Sequence, residues 1–228
     1  MTEFFALYAD QLADWLPRLR QAALLTVALS LLGFALALLL GAGWVAMQRS
    51  GRPWPRRVAQ AAIQGLRTVP LLALLLALYF ALPALGLRLS GFWAGVLGLG
   101  LHGSAYVAEL LRGGLAAVHR GQSEAALSAG LTPLHTLRFV VLPQALRVML
   151  PPLLNSYVAL LKDSSLCALI ATDELMLTAR AIASESFLPL HIFLLVGAFY
   201  FAIAFPLSMA SRLLQQRLSR GRRGQGAT

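Results

Sequence analysis

The 228 residues are 58% hydrophobic and only 12% charged, and 19 Lys and Arg against 9 Asp and Glu give a net charge of +10. A soluble domain carries about 25% charged residues, so this chain has too few to cover a water-facing surface and lipid is the missing solvent. The same arithmetic excludes a nucleic-acid binder, which needs a soluble scaffold for its basic groove. It also excludes disorder, collagen and a disulfide framework, since Cys167 is the single cysteine.

In chain order, no Asp, Glu, Lys or Arg occurs in 21–48, 68–87, 89–108 or 186–211. Each run reaches the roughly 20 apolar residues that a helix needs to cross about 30 Å of hydrocarbon. The second begins earlier, near Val58, and carries Arg67 inside it. A further run, 148–161, is long enough only if it continues through Lys162-Asp163 into 164–172, as a span with an interrupted middle. The expectation is an all-α, polytopic membrane domain over 1–228, with five transmembrane helices at about 21–47, 58–82, 89–111, 144–172 and 187–211. Gly33, Gly41 and Gly43 in the first span, and Gly91, Gly95, Gly98 and Gly100 in the third, predict close helix contact. Pro70 and Pro206 predict kinks.

The loops set the orientation. Arg49, Arg52, Arg56 and Arg57 lie in 48–57, Arg112, Arg120, Arg138 and Arg147 follow the third span, and five arginines fill the tail from Arg212. The opposite side has only Arg18, Arg20, Arg88 and Arg180. The positive-inside rule then places the N-terminus outside and the C-terminus in the cytoplasm. Glu3, Asp10 and Asp14 speak against a cleavable leader in the first 20 residues. Five spans do not divide into equal inverted halves, so a pathway belongs between two copies of the chain.

The long arginine-bearing loop contains a small capped unit at 121–143. Ser123 serves as N-cap of a short helix, Glu124 complements its dipole, and Gly130 suits a left-handed C-terminal position. Thr132-Pro133 restarts a helix, and Leu142-Pro143 closes the unit before the next span. Alanines on one side let another protein approach closely, and Glu124 offers a charged anchor.

These residues carry a resemblance. Glu124-Ala125-Ala126, Gly130 and Val140-x-Leu142-Pro143 resemble the EAA loop of bacterial ABC-importer permeases, and the likeness extends over roughly 22–215. Gln122-x-Glu124-Ala125-Ala126, Leu150-Pro151-Pro152-Leu153-Leu154-Asn155 and Lys162-Asp163-Ser164-Ser165-Leu166 are similar to the subfamily importing polar amino acids of the histidine, glutamine and arginine type. The resemblance implies a multi-pass protein of the bacterial inner membrane, forming a homodimer or a heterodimer with a second permease. It implies a cytoplasmic dimer of ABC ATPase subunits and an extracytoplasmic amino acid-binding protein as partners. Glu124, Ala125, Ala126 and Gly130 would then dock the ATPase and pass its closure to the spans.

No chemistry of its own is expected of this chain. The one lysine, Lys162, lies between Leu161 and Asp163 and belongs to no phosphate-binding loop, so no cofactor is expected here and ATP would be bound by the partner subunit. His102, His119, His135 and His191 lack metal-ligand spacing, and His102 reads as an interior or interface histidine. Ionisable groups inside a membrane usually face a functional cavity. Lys162 and Asp163, pointing about 100° apart on a helix, suit the carboxylate and amine of a zwitterion, with Ser164 and Asn155 completing the hydrogen bonds. The other reading has Lys162 snorkelling to an interface and Asp163 capping the next helix. Thr26, Ser30 and Ser104, with Tyr106, are second-rank pathway candidates against a role in bonding helices together. Arg67 and Glu109 are expected to form a structural pair within the membrane. The expected function is the membrane subunit of an ATP-driven importer for a polar amino acid. The alternatives are a permease for an osmolyte, methionine or opine, and an ATPase-independent transporter or channel.

Overall fold

The computed structural model describes residues 2–223, with side chains from 11 to 218. Among them every regular element is helical: α1 (Thr2–Gln48), α2 (Pro53–Thr68), α3 (Leu71–Ala81), α4 (Gly91–Ala116), α5 (Arg120–Ser128), α6 (Pro133–His135), α7 (Leu142–Asp163), α8 (Leu175–Ser186) and α9 (Pro189–Arg223). Four runs are long and apolar enough to cross a membrane: Gln11–Gln48, Gly91–Ala116, Pro133–Ile170 and Pro189–Leu218. The expected second span is broken into α2 and α3, which bend by 101°, and counting that pair as one gives five.

Pro70 causes the break. It has no N–H to continue the ladder, and its ring drives the preceding residue out of the helical region. Val69 accordingly sits at φ −82°, ψ 127°, while the Thr68 hydroxyl donates back to the carbonyls of Gln64 and Gly65. Pro206, by contrast, lies inside an unbroken α9.

The fourth span differs from expectation at both ends. Thr132 caps α6, its hydroxyl accepting from His135 N–H, and Pro133 occupies the first turn. A π turn over Thr136–Val141 then joins α6 to α7, so Leu142-Pro143 continues the helix where closure was expected. At the far end Lys162-Asp163 does not interrupt the run; the helix tightens to 3-10 geometry over Ser164–Ile170 and stops at Ala171, whose φ is +52°.

α1 and α4 form the central pair. A Cβ on Gly41 would fall 2.7 Å from Val107 Cγ1, and one on Gly91 only 2.1 Å from the Ile170 carbonyl oxygen. These are the close approaches that small residues allow. Gly43 departs from the expectation, since a Cβ there would meet nothing within 4 Å. Leu29, Leu75, Leu99 and Leu160 fill the core between α1, α3, α4 and α7. A second core joins Trp15 and Leu19 of α1 to Leu175 and Ile182 of α8 and Ile192 of α9. Glu174, fully buried, anchors that region. It caps α8 by accepting from Leu177 N–H and also accepts from the Tyr200 hydroxyl at 3.0 Å.

Candidate functional site

Asn155 and Lys162 lie seven residues apart on α7, so they share one face two turns apart. Both are exposed, as is Asp163. Asp163 precedes the 3-10 segment without capping it, so its carboxylate is not spent on the backbone. Lys162 forms no ion pair with any described carboxylate. Ser164 stands apart from these three: it is buried, and its hydroxyl donates to the Leu161 carbonyl at 2.7 Å.

A cluster that sequence reasoning did not assemble lies on α4 and the end of α2, with one member in electrostatic range of Asp163. His102 of α4 is close enough to Asp163 to interact electrostatically, and its ring also meets the Leu66 backbone at the end of α2. Its Nδ1 is buried without a hydrogen-bond partner. The Tyr106 ring, one turn along, lies 5.2 Å from the His102 ring. Arg67 places its guanidinium 5.8 Å from the centre of that tyrosine, on the face where a cation is attracted. The break at Pro70 thus leaves the end of α2 against α4, where Arg67 meets Tyr106. A guanidinium over an aromatic ring and an imidazole with an unspent nitrogen follow one another along α4, the imidazole within electrostatic range of the Asp163 carboxylate. Such a set can hold a small polar solute by charge and hydrogen bonding, without bond-making chemistry.

One expectation changes, and one choice between two readings is decided. The Arg67–Glu109 pair does not form: Glu109 bonds to Arg112 three residues on, within its own helix, and Arg67 takes the Tyr106 ring instead. The nearer, same-helix partner costs less ordering. Thr26, Ser30 and Ser104 are buried between helices and do not join Lys162, Asp163 and Asn155. Thr26 donates to the Ala22 carbonyl and accepts from Leu175 N–H at the start of α8. Ser30 donates to the Val27 carbonyl and lies 3.3 Å from the Tyr157 hydroxyl, and Ser104 accepts from Trp44 Nε1.

The 121–143 unit is compact. His119, in place of Ser123, caps α5, its ring accepting from Gly121 N–H. Gly130 takes φ +86°, and Gly130 N–H and Leu131 N–H close the helix on the carbonyls of Leu127 and Ala126. Ala126 is buried against the unit, whereas Glu124 and Ala125 are exposed on it. Gln144 of α7 donates to Gln122 of α5 at 3.3 Å and to the Val140 carbonyl, tying the unit to the base of the fourth span.

The model of the binding-protein-dependent transport system inner membrane component family matches residues 33–224. This chain belongs to that family. The permease is 35% identical over 222 residues to the glutamine transport system permease protein GlnP of Escherichia coli (strain K12), covering 92% of this chain and 97% of that one. It is 37% identical over 160 residues to the probable glutamine ABC transporter permease protein GlnM of Bacillus subtilis (strain 168), covering 70% and 74%. Its fold superposes with a TM-score of 0.84, at 32% identity, on the crystal structure of an amino acid ABC transporter with histidines, over 91% of this chain and 97% of that one. The permease is therefore a multi-pass inner-membrane transport subunit of an ABC importer and not an enzyme. It works with an ATPase and a substrate-binding protein.

Proposed function

We propose that the permease carries a polar amino acid, and that the exposed Lys162-Asp163 pair, with Asp163 in electrostatic range of His102, is where the solute is held in passage. The single observation that carries this reading is that Asp163 caps no helix and interacts electrostatically with a histidine whose Nδ1 is buried without a hydrogen-bond partner. The named substrates of its relatives, glutamine among them, support it. Two permeases form the path between them, with N-termini outside and C-termini in the cytoplasm. Glu124, Ala125, Ala126 and Gly130 dock the ATPase, and closure of the ATPases switches the path between inward and outward access.

Reconstitution into vesicles with the ATPase and binding-protein partners tests the site. ATP-dependent uptake of labelled glutamine, histidine and arginine is the readout. Asp163→Asn and Lys162→Met are expected to lower uptake at least about tenfold, the size of losing one charge-assisted contact. ATP hydrolysis should continue in both. Unchanged affinity and rate in assembled variants would remove these residues from the transport path.

A further inference from the structure

At the arginine-rich end of the bundle, the last turns of α1 and α4 and the polar face of α2 line an open cavity of about 450 Å³. Arg49, Arg56 and Arg112 line it against a single carboxylate, Glu109. Glu109 is already bonded to Arg112, and no described carboxylate pairs with Arg49 or Arg56. The cavity therefore holds two uncompensated guanidiniums. Gln48, Gln60 and Gln64 add amide donors. The remaining wall is apolar, contributed by Val45, Ile63 and Leu115.

The setting matters as much as the charge. α2 is amphipathic, burying Ala59 and Ile63 while Arg56, Gln60 and Gln64 are exposed, and Trp54 stands exposed near its start. The 101° bend frees α2 from the direction of α3. An arginine-bearing amphipathic helix with an exposed tryptophan is built for the boundary between hydrocarbon and headgroups. We propose that this cavity binds the phosphate of an anionic phospholipid headgroup, with the amides on its ester oxygens and the apolar wall against its glycerol stem. Two guanidiniums match phosphate geometry, and at this depth a headgroup is the most concentrated phosphate. The transported amino acid fits less well, because its amine finds Glu109 already paired. Assignment to the cytoplasmic leaflet rests on the proposed orientation; binding does not.

Native mass spectrometry of the detergent-purified full-length permease with its ATPase tests this, titrating dioleoyl phosphatidylglycerol against dioleoyl phosphatidylcholine. The expected result is one phosphatidylglycerol retained per permease chain and no retained phosphatidylcholine. Arg49→Gln with Arg56→Gln should weaken retention about thirtyfold. Arg52→Gln with Arg57→Gln, the same charge change outside the cavity, should leave it unchanged. If the first double variant does not fold, Arg49→Gln alone carries the test, with about fivefold weakening. Equal retention of the two lipids, or equal loss in both double variants, overturns the proposal. So does displacement of the lipid by inorganic phosphate, which makes this a free-anion site, or by glutamine, which makes it part of the transport path.

Discussion

Among the described glycines, Gly91 has the closest neighbour. The Ile170 carbonyl would stand 2.1 Å from an added Cβ, and that oxygen belongs to backbone, which cannot rotate away as a side chain does. Gly91→Ala should cost about 2 kcal/mol or more as overpacking, lowering the thermal midpoint in detergent. Gly43→Ala, with nothing within 4 Å, should be neutral or gain up to about 1 kcal/mol from better helix propensity. Glu185 offers a test by pH. Its hydrogen bond to Arg18, at 2.6 Å, holds its carboxyl below the ordinary value of 4.5. A lowered folded-state value stabilises above the unfolded value, and that gain disappears as pH falls through the folded one. The midpoint gap between the native chain and Glu185→Gln should thus be small, present at pH 7, and closed on acidification below the lowered value. Both groups are exposed, so added salt should shrink it too.

At the scale of elements, the informative feature is how polar groups replace missing backbone partners. α8 has Leu175, Ala179, Ile182 and Ala183 at helical spacing, and all four are buried. Its first turn relies on Glu174, which serves Leu177 N–H and the Tyr200 hydroxyl, while Thr26 serves Leu175 N–H. Glu174→Ala removes a cap and orphans two donors, so a loss of about 2 kcal/mol in unfolding free energy is expected. Glu174→Gln keeps one acceptor and should lose less. The α8 periodicity is present in the sequence, yet the short stretch 173–189 between two spans reads first through its charges. The coupling unit is more legible, because Gly130, Thr132 and Pro133 each have a local reason for their place. His119 displaces Ser123 as cap because the helix begins at Arg120, one turn before the serine could act.

For the whole molecule, the proposed docking unit and the proposed solute site lie toward opposite ends of α7 and, on that reading, move together. The unbroken run Pro133–Ile170 joins the 121–143 unit to Lys162-Asp163 through one continuous helical rod. Glu124→Arg should therefore leave ATP hydrolysis by the assembled transporter near its native rate while uptake falls at least about tenfold, as for loss of one charge-assisted contact. Measuring hydrolysis and labelled uptake on the same vesicles checks this, and full uptake in the variant would remove Glu124 from the coupling role.

Composition and charge spacing by themselves determined that the chain is helical, membrane-embedded and arginine-weighted at one face, because hydrophobic length and loop charge act locally along the chain. The turn at Gly130 and the restart at Thr132-Pro133 were legible for the same reason, since they act on sequence neighbours, whereas the cap at His119 was not. Only tertiary structure decided which polar groups share a space. Arg67 of α2 reaches Tyr106 beside His102 on α4, and His102 interacts electrostatically with Asp163 of α7, so three helices contribute. Thr26, Ser30 and Ser104 look like pathway residues on a helical wheel, but the partners that bury them lie 149, 127 and 60 residues away in the chain. Hydroxyl and ion-pair partners are chosen by distance in space, and that distance is set by how the helices lie against one another.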